Sequence, residues 1–207
     1  MRSRSLLACC AALLATACTR MVDGSAVLPF GAGALSGVDV DRVLLDQTRM
    51  RAITGADDRL TIIPSMDGKS PVDIDTFADT APPQCRFVYA ETATFGPDVE
   101  SFHKTTFQYP PRGGLISEGA AAYRDAGTAR HAFDVLVTTV ESCATSSVGS
   151  LLIGDWYADA GSLHTRPGDC GRDYRVKSTV LVEVTFCGFP ESVSDMVLTN
   201  IAANVPG

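Results

Sequence analysis

The 207 residues carry 17 basic and 24 acidic side chains, three histidines and 45% apolar residues. With no basic stripe or lysine run, this acidic excess argues against nucleic acid as a partner, because it would repel a polyanion and offers nothing to neutralise phosphates. The apolar content is enough for one good core, and the length suits a single domain.

The first signal along the chain is Arg2 and Arg4, followed by an apolar stretch that ends in Leu13-Leu14-Ala15-Thr16-Ala17-Cys18. A charged start, an apolar segment of roughly 7–15 residues and small side chains before the cut make a secretory leader. A cysteine just after the cut makes it a lipoprotein leader, since the thiol forms a thioether to diacylglycerol. Each buried acyl methylene then contributes about 0.8 kcal/mol to membrane attachment. Cys9 and Cys10 lie too close to Arg4 to leave an apolar segment of that length, and the run is well short of the roughly 20 residues that span a bilayer. The expected organisation is a signal peptide over 1–17, a lipidated Cys18, a Gly- and Ala-rich tether over 18–37 and a folded domain over 38–207. Without the leader, 15 basic residues face 24 acidic ones.

Folding is expected to begin near Val38. Asp39 or Asp41 can cap a helix carrying Val43, Leu44 and Leu45, and Gln47 to Thr54 ends at Gly55, a fitting left-handed stop. Leu60 to Ile63 reads as a short strand. Pro64 to Pro83 shows neither period and reads as a long surface loop; its Asp67, Asp73 and Asp75 miss the spacing of an EF-hand. Gln84 to Ala93 reads as a helix closed by Gly96-Pro97.

Strands over Glu100–Tyr109 and Leu115–Tyr123 are joined by Pro110-Pro111-Arg112-Gly113-Gly114, a composition that forces a turn. From Thr128 to Ala144, Ala129, Ala132, Phe133, Leu136, Val137 and Val140 form one helical stripe. Cys143 continues that stripe into the core, where a partner such as Cys85 could reach it. Leu151–Tyr157 and Gly161–Arg166 read as further sheet. Asp173–Lys177 and Val180–Phe186 read as an antiparallel pair, with Val180, Val182, Val184 and Phe186 on one face and Leu181, Glu183 and Thr185 on the other, in step with Cys187. A two-residue turn at Ser178-Thr179 sets Cys170 opposite Cys187, close enough for a disulfide. Ser-Thr is not a favoured turn pair, which leaves a slip of one or two residues open. The chain ends in a helix over Ser192–Val205 with Val193, Met196, Val197, Ile201 and Val205 inward.

Cys85, Cys143, Cys170 and Cys187 are an even set in an exported chain, so two disulfides are expected. None forms a CxxC pair, and His103, His131 and His164 lie far apart, so neither a metal nor another cofactor is expected. There is no GxSxG elbow, HExxH pair, P-loop or GxGxxG motif, and no catalytic residue is assigned. Tyr89, Trp156, Tyr157, Arg172 and Tyr174 are the candidate ligand-binding residues, aromatic and polar groups of the kind that line small-molecule sites. Trp156 and Tyr89 also admit a purely structural reading as core or edge aromatics.

The order Leu44-Leu45, Met50-Arg51-Ala52-Ile53-Thr54-Gly55-Ala56, Pro83-Gln84-Cys85, Ala129 to Cys143, Cys170-Gly171-Arg172, Val182-Glu183-Val184, Cys187-Gly188 and Ile201-Ala202-Ala203-Asn204-Val205 resembles mycobacterial lipoproteins related to the extracellular sensor domain of the PknH-type Ser/Thr kinase. The tryptophan often found just before the helix cysteine is absent, since Val140-Glu141-Ser142 precedes Cys143. The resemblance covers about Val38 to Val205. It implies a single α+β domain, a mostly antiparallel twisted sheet packed by several helices, with a central cleft. It also implies that the first two of the four cysteines pair with each other, as do the last two. No kinase segment is read here, so binding or sequestration is the most it implies.

The expected function is a non-catalytic, lipid-anchored, ligand-binding or sensor-like lipoprotein on the extracytoplasmic side of the cell membrane. A small hydrophobic or cell-wall molecule is its expected ligand. The other reading is an interaction or structural lipoprotein that docks onto an envelope protein without a small ligand.

Overall fold

The computed structural model describes residues 37–207. Cys18, the leader and nearly all of the tether therefore lie outside the described residues.

Asp39 caps α1 (Val40–Val43), its carboxylate accepting from the Asp41 N–H at 3.1 Å. Leu44 and Leu45 follow the helix rather than belonging to it, and both are buried. Asp46 caps α2 (Gln47–Thr54), which stops at Gly55 with φ +65°. The segment after β1 (Thr61–Ile62) is more ordered than a surface loop. It holds a 3-10 turn (Pro64–Met66) and α3 (Asp75–Ala78), and it is bonded at both ends. Gly68 exchanges backbone hydrogen bonds with Lys104 at 2.9 Å, and the Ile74 N–H donates to the Tyr89 carbonyl at 2.8 Å.

The helix expected over Gln84–Ala93 is broken into a 3-10 stretch (Pro83–Val88) and a separate α4 (Glu91–Phe95). Tertiary partners take the carbonyls a continuous helix would use. Phe87 O accepts from Thr94 Oγ1 at 3.0 Å, Val88 O from the Arg172 guanidinium at 2.6 Å, and Tyr89 O from Ile74.

β2 (Ser101–Tyr109) and β3 (Gly114–Ala122) form the expected hairpin. α5 (Ala126–Ala144) begins two residues earlier than its apolar stripe, because Asp125 caps it through the Thr128 N–H at 2.7 Å. The segment read as strand from Leu151 onward is first α6 (Ser147–Ile153), capped by Ser146 and stopped at Gly154 with φ +64°. Only β4 (Asp155–Ala158) is strand there. β5 (Ser162–Arg166), β6 (Cys170–Lys177) and β7 (Val180–Cys187) complete the sheet, and α7 (Glu191–Asn204) closes the chain. Met196 on α7 is 44% exposed, not inward; the buried stripe runs through Val193, Val197, Leu198 and Ile201.

The seven strands lie in the order β1-β2-β3-β7-β6-β5-β4, every neighbouring pair antiparallel. Strand alternation gives the sheet two faces with a core on each. Phe107, Ile116, Val182, Val184 and Phe186 pack with α1, α2 and α7. Phe102, Ala121, Leu181, Val176 and Leu163 pack with α5, α4 and the Pro83–Val88 turn. This is an α+β domain with helices on both faces of one sheet.

Both disulfides are present. Cys85–Cys143 ties the 3-10 turn to α5 inside the second core, with Cα atoms 5.0 Å apart. Cys170–Cys187 joins β6 to β7 at directly opposed positions, with Cα atoms 4.2 Å apart. The Ser178-Thr179 turn therefore holds the unslipped register, with Ser178 at φ +52°.

Candidate functional site

Helix α5 covers only part of its face of the sheet. Beside it, where β2, β3, β7 and β6 run together, the face carries polar side chains and is left open beneath the segment 65–74. Register places Thr106, Ser117, Thr185 and Arg172 in one row across the four strands. The next row is Lys104, Gly119, Glu183 and Tyr174. Above these rows lies a cavity of about 390 Å³. Its floor is Lys104, Ser117, Glu183, Thr185 and Arg172, and its walls come from 65–74 and from Val88 to Thr94.

The floor is a hydrogen-bonded network. Glu183 is buried; its Oε1 accepts from the Thr185 hydroxyl at 3.1 Å and from the Tyr174 hydroxyl at 3.3 Å, and lies 3.8 Å from Arg172 Nη1. The other arm of Arg172 donates to the Val88 carbonyl, fixing the wall to the floor. Burial, and then the negative charge of Glu183, hold the Tyr174 hydroxyl far above its ordinary titration range. Lys104 pairs with Glu91 Oε1, and Glu91 Oε2 accepts from the Val72 N–H at 2.8 Å. His103 stands between Asp67 Oδ1 at 2.8 Å and Asp41 Oδ1 at 3.0 Å, binding the roof and α1 to β2. These contacts hold the segment 65–74 over the floor.

Of the residues singled out from sequence, Tyr89 and Arg172 line the cavity. Tyr174 lies behind the floor as the buried donor to Glu183. Trp156 and Tyr157 are not brought to it. They sit on β4 at the far edge of the sheet, 37% and 61% exposed, with Tyr157 stacked on His164. Chain order could not show that β4 joins only β5, away from the central strands. Sequence reasoning missed Glu183, Thr185, Ser117 and Lys104. A signal did exist: the face carrying Leu181, Glu183 and Thr185 is polar in the middle of a central strand, where a fully covered face would be apolar.

A second polar cluster lies on the opposite face. Buried Asp173 accepts from Arg166 Nη1 at 2.6 Å and from the Ser194 hydroxyl, and its Oδ1 is 2.8 Å from His164 Nδ1. Burial would raise its pKa, but the hydrogen bonds from His164, Ser194 and Arg166 outweigh burial and hold the carboxyl below the usual range. Serine, histidine and aspartate meet here, yet Ser194 donates to the carboxylate and not to the imidazole, so the serine–histidine–aspartate relay order is not formed. Asp195 completes a set of three metal-ligand types with His164 and Asp173. The oxygens of Asp173 are already committed to Arg166 and Ser194, however, and a guanidinium at 2.6 Å opposes a cation. The cluster reads as a structural tie between β5, β6 and α7.

The family model for the PknH-like extracellular domain matches residues 35–205. The chain belongs to the PknH-like extracellular domain family. The crystal structure of the extracellular domain of PknH from Mycobacterium tuberculosis superposes on it with a TM-score of 0.60 at 14% identity, covering 80% of this chain and 95% of that one. At that identity the likeness establishes the shared fold. No curated protein matches the chain. The family is of extracellular, sensor-type, typically non-catalytic domains, and the two disulfides suit an oxidising, extracytoplasmic setting. Among the described residues, no helix is long and apolar enough to cross a membrane.

Proposed function

We propose that this PknH-like domain is the ligand-binding, sensor-like part of a cell-envelope lipoprotein, anchored through acylated Cys18, of mycobacterial type, and non-catalytic. The observation that carries the binding function is the roofed cavity of about 390 Å³, which falls in the size range of small-molecule sites and pairs apolar walls with a few fixed polar groups. The anchor rests on the basic start, short apolar run and cysteine of residues 1–18.

Native mass spectrometry of the protein purified from its own envelope tests both parts. The expected result is a diacylglyceryl-modified terminus at Cys18 and a co-purified small molecule released on unfolding. A free terminus would overturn the anchor. Finding no bound molecule, together with no thermal shift against envelope lipids and glycans, would favour the docking reading. That reading draws on Val148, Leu151, Trp156 and Tyr157, which stand exposed along α6 and β4, with Leu151 80% accessible.

A further inference from the structure

The cavity is divided by polarity. Its floor is ionic and hydroxylic, but each floor cation is matched: Lys104 is paired with Glu91 and Arg172 with Glu183, while Asp67 at the rim is paired with His103. An ionised ligand group would have to enter without a free counter-charge or break one of these pairs, and either cost is high in a partly desolvated site. Hydroxyls at Ser117 and Thr185 stand beside them as neutral partners.

The mouth is the reverse. Met66, Val72 and Ile74 line the cavity and are nevertheless 45%, 61% and 51% exposed. Phe77 follows on α3, 57% exposed and resting on the ring of Tyr89 with centroids 5.5 Å apart. Single exposed apolar residues need no explanation, but four within twelve residues at the lip of a cavity form a patch that something apolar can cover. The space inside, about 390 Å³, lies near the lower end for small-molecule sites, so a ligand that seats its polar end on the floor has apolar atoms left for the lip.

We infer that the site takes an uncharged amphiphile, with a hydroxyl- or amide-bearing head on the Arg172–Glu183 and Lys104–Glu91 floor and an apolar part against Met66, Val72, Ile74 and Phe77. The inference rests on the binding function proposed above and specifies its ligand class. Head-down insertion follows from the division of the lining, since the reverse pose would bury apolar atoms on two ion pairs and leave the lip bare.

The test is an amide chemical-shift titration of the full chain with three probes: n-octyl β-glucoside held below its micelle concentration, n-octyl sulfate under the same condition, and glucose. Octyl glucoside should give saturable shifts at Val72, Ile74, Ser117 and Thr185, with octyl sulfate and glucose each weaker by about tenfold or more. A V72S/I74S chain, altered only at exposed positions, should keep its spectrum elsewhere and bind octyl glucoside about tenfold more weakly. Equal or tighter binding of octyl sulfate would overturn the uncharged head. Equal binding of glucose, or no loss in V72S/I74S, would overturn the role of the lip. Isopropanol and phenol serve as a control for the cavity itself. Shifts there from these solvents alone would leave a binding site of another ligand class, whereas silence of the cavity amides to every probe would bring down the binding function as well.

Discussion

Glu118 sits on β3 facing α1 and α2, fully buried, with the Leu45 N–H donating to both carboxylate oxygens at 3.0 and 3.2 Å. Burial pushes its pKa up to about 8, the Leu45 hydrogen bond only partly offsets this, and Asp46 nearby pushes the same way. The folded pKa therefore exceeds the ordinary value of 4.5 that applies to the unfolded chain. The folded state holds this proton over an interval in which the unfolded state has released it, so its stabilisation is fully present below pH 4.5 and is lost as pH rises through about 8. Each pH unit within the interval removes about 1.4 kcal/mol, and the whole interval roughly 5 kcal/mol. Glu118→Gln keeps an oxygen that can accept from Leu45 and cannot ionise. Its amide nitrogen changes the level of stability by a pH-independent amount, so the slope is the readout. Urea denaturation of both chains at about pH 5.5, 6.5 and 7.5 should show the natural protein losing about 2–3 kcal/mol more than the variant across that range, while the histidines, shared by both, cancel in the difference. Stability curves that run parallel would refute the claim that this carboxyl is protonated in the folded protein at neutral pH.

Gly149→Ala should be among the most damaging single-methyl changes, because a Cβ there would lie 1.7 Å from the Cys143 carbonyl oxygen, backbone that the disulfide to Cys85 holds in place. A loss of about 3 kcal/mol or more by denaturant titration is expected, and a loss under about 1 kcal/mol would show that α6 moves freely relative to α5. Ser178→Gly should do the opposite. Ser178 is at φ +52° in the β6–β7 turn, where glycine removes a left-handed cost at the price of a looser unfolded chain, so a net gain of about 0.5–1 kcal/mol should appear as a higher Tm.

Local chemistry made much of this fold legible. Gly55 stops α2, the apolar stripe marks α5, and alternation through Val180–Phe186 together with a two-residue turn places Cys170 against Cys187, because each signal acts between residues close in sequence. Reading failed where distant groups compete for the backbone. The helix expected over Gln84–Ala93 breaks because Arg172 and Ile74 take its carbonyls, and both lie outside that segment. The apolar residues after Ser146 fit a strand or a short helix, and only the Ser146 cap and the Gly154 stop decide for α6. Tyr89 and Arg172, singled out for their chemistry, line the cavity, whereas Trp156 and Tyr157 share that chemistry and lie on β4 at the far edge of the sheet.

By itself, the sequence determined the two-faced strands, the cysteine set and the Gly55 helix stop, all of which follow from side-chain type and spacing along the chain. Tertiary structure alone decided that Lys104, Ser117, Glu183 and Arg172 meet under one roof. They come from four strands whose neighbours are set by how helices on both faces bury their apolar stripes, and no short-range rule along the chain carries that information.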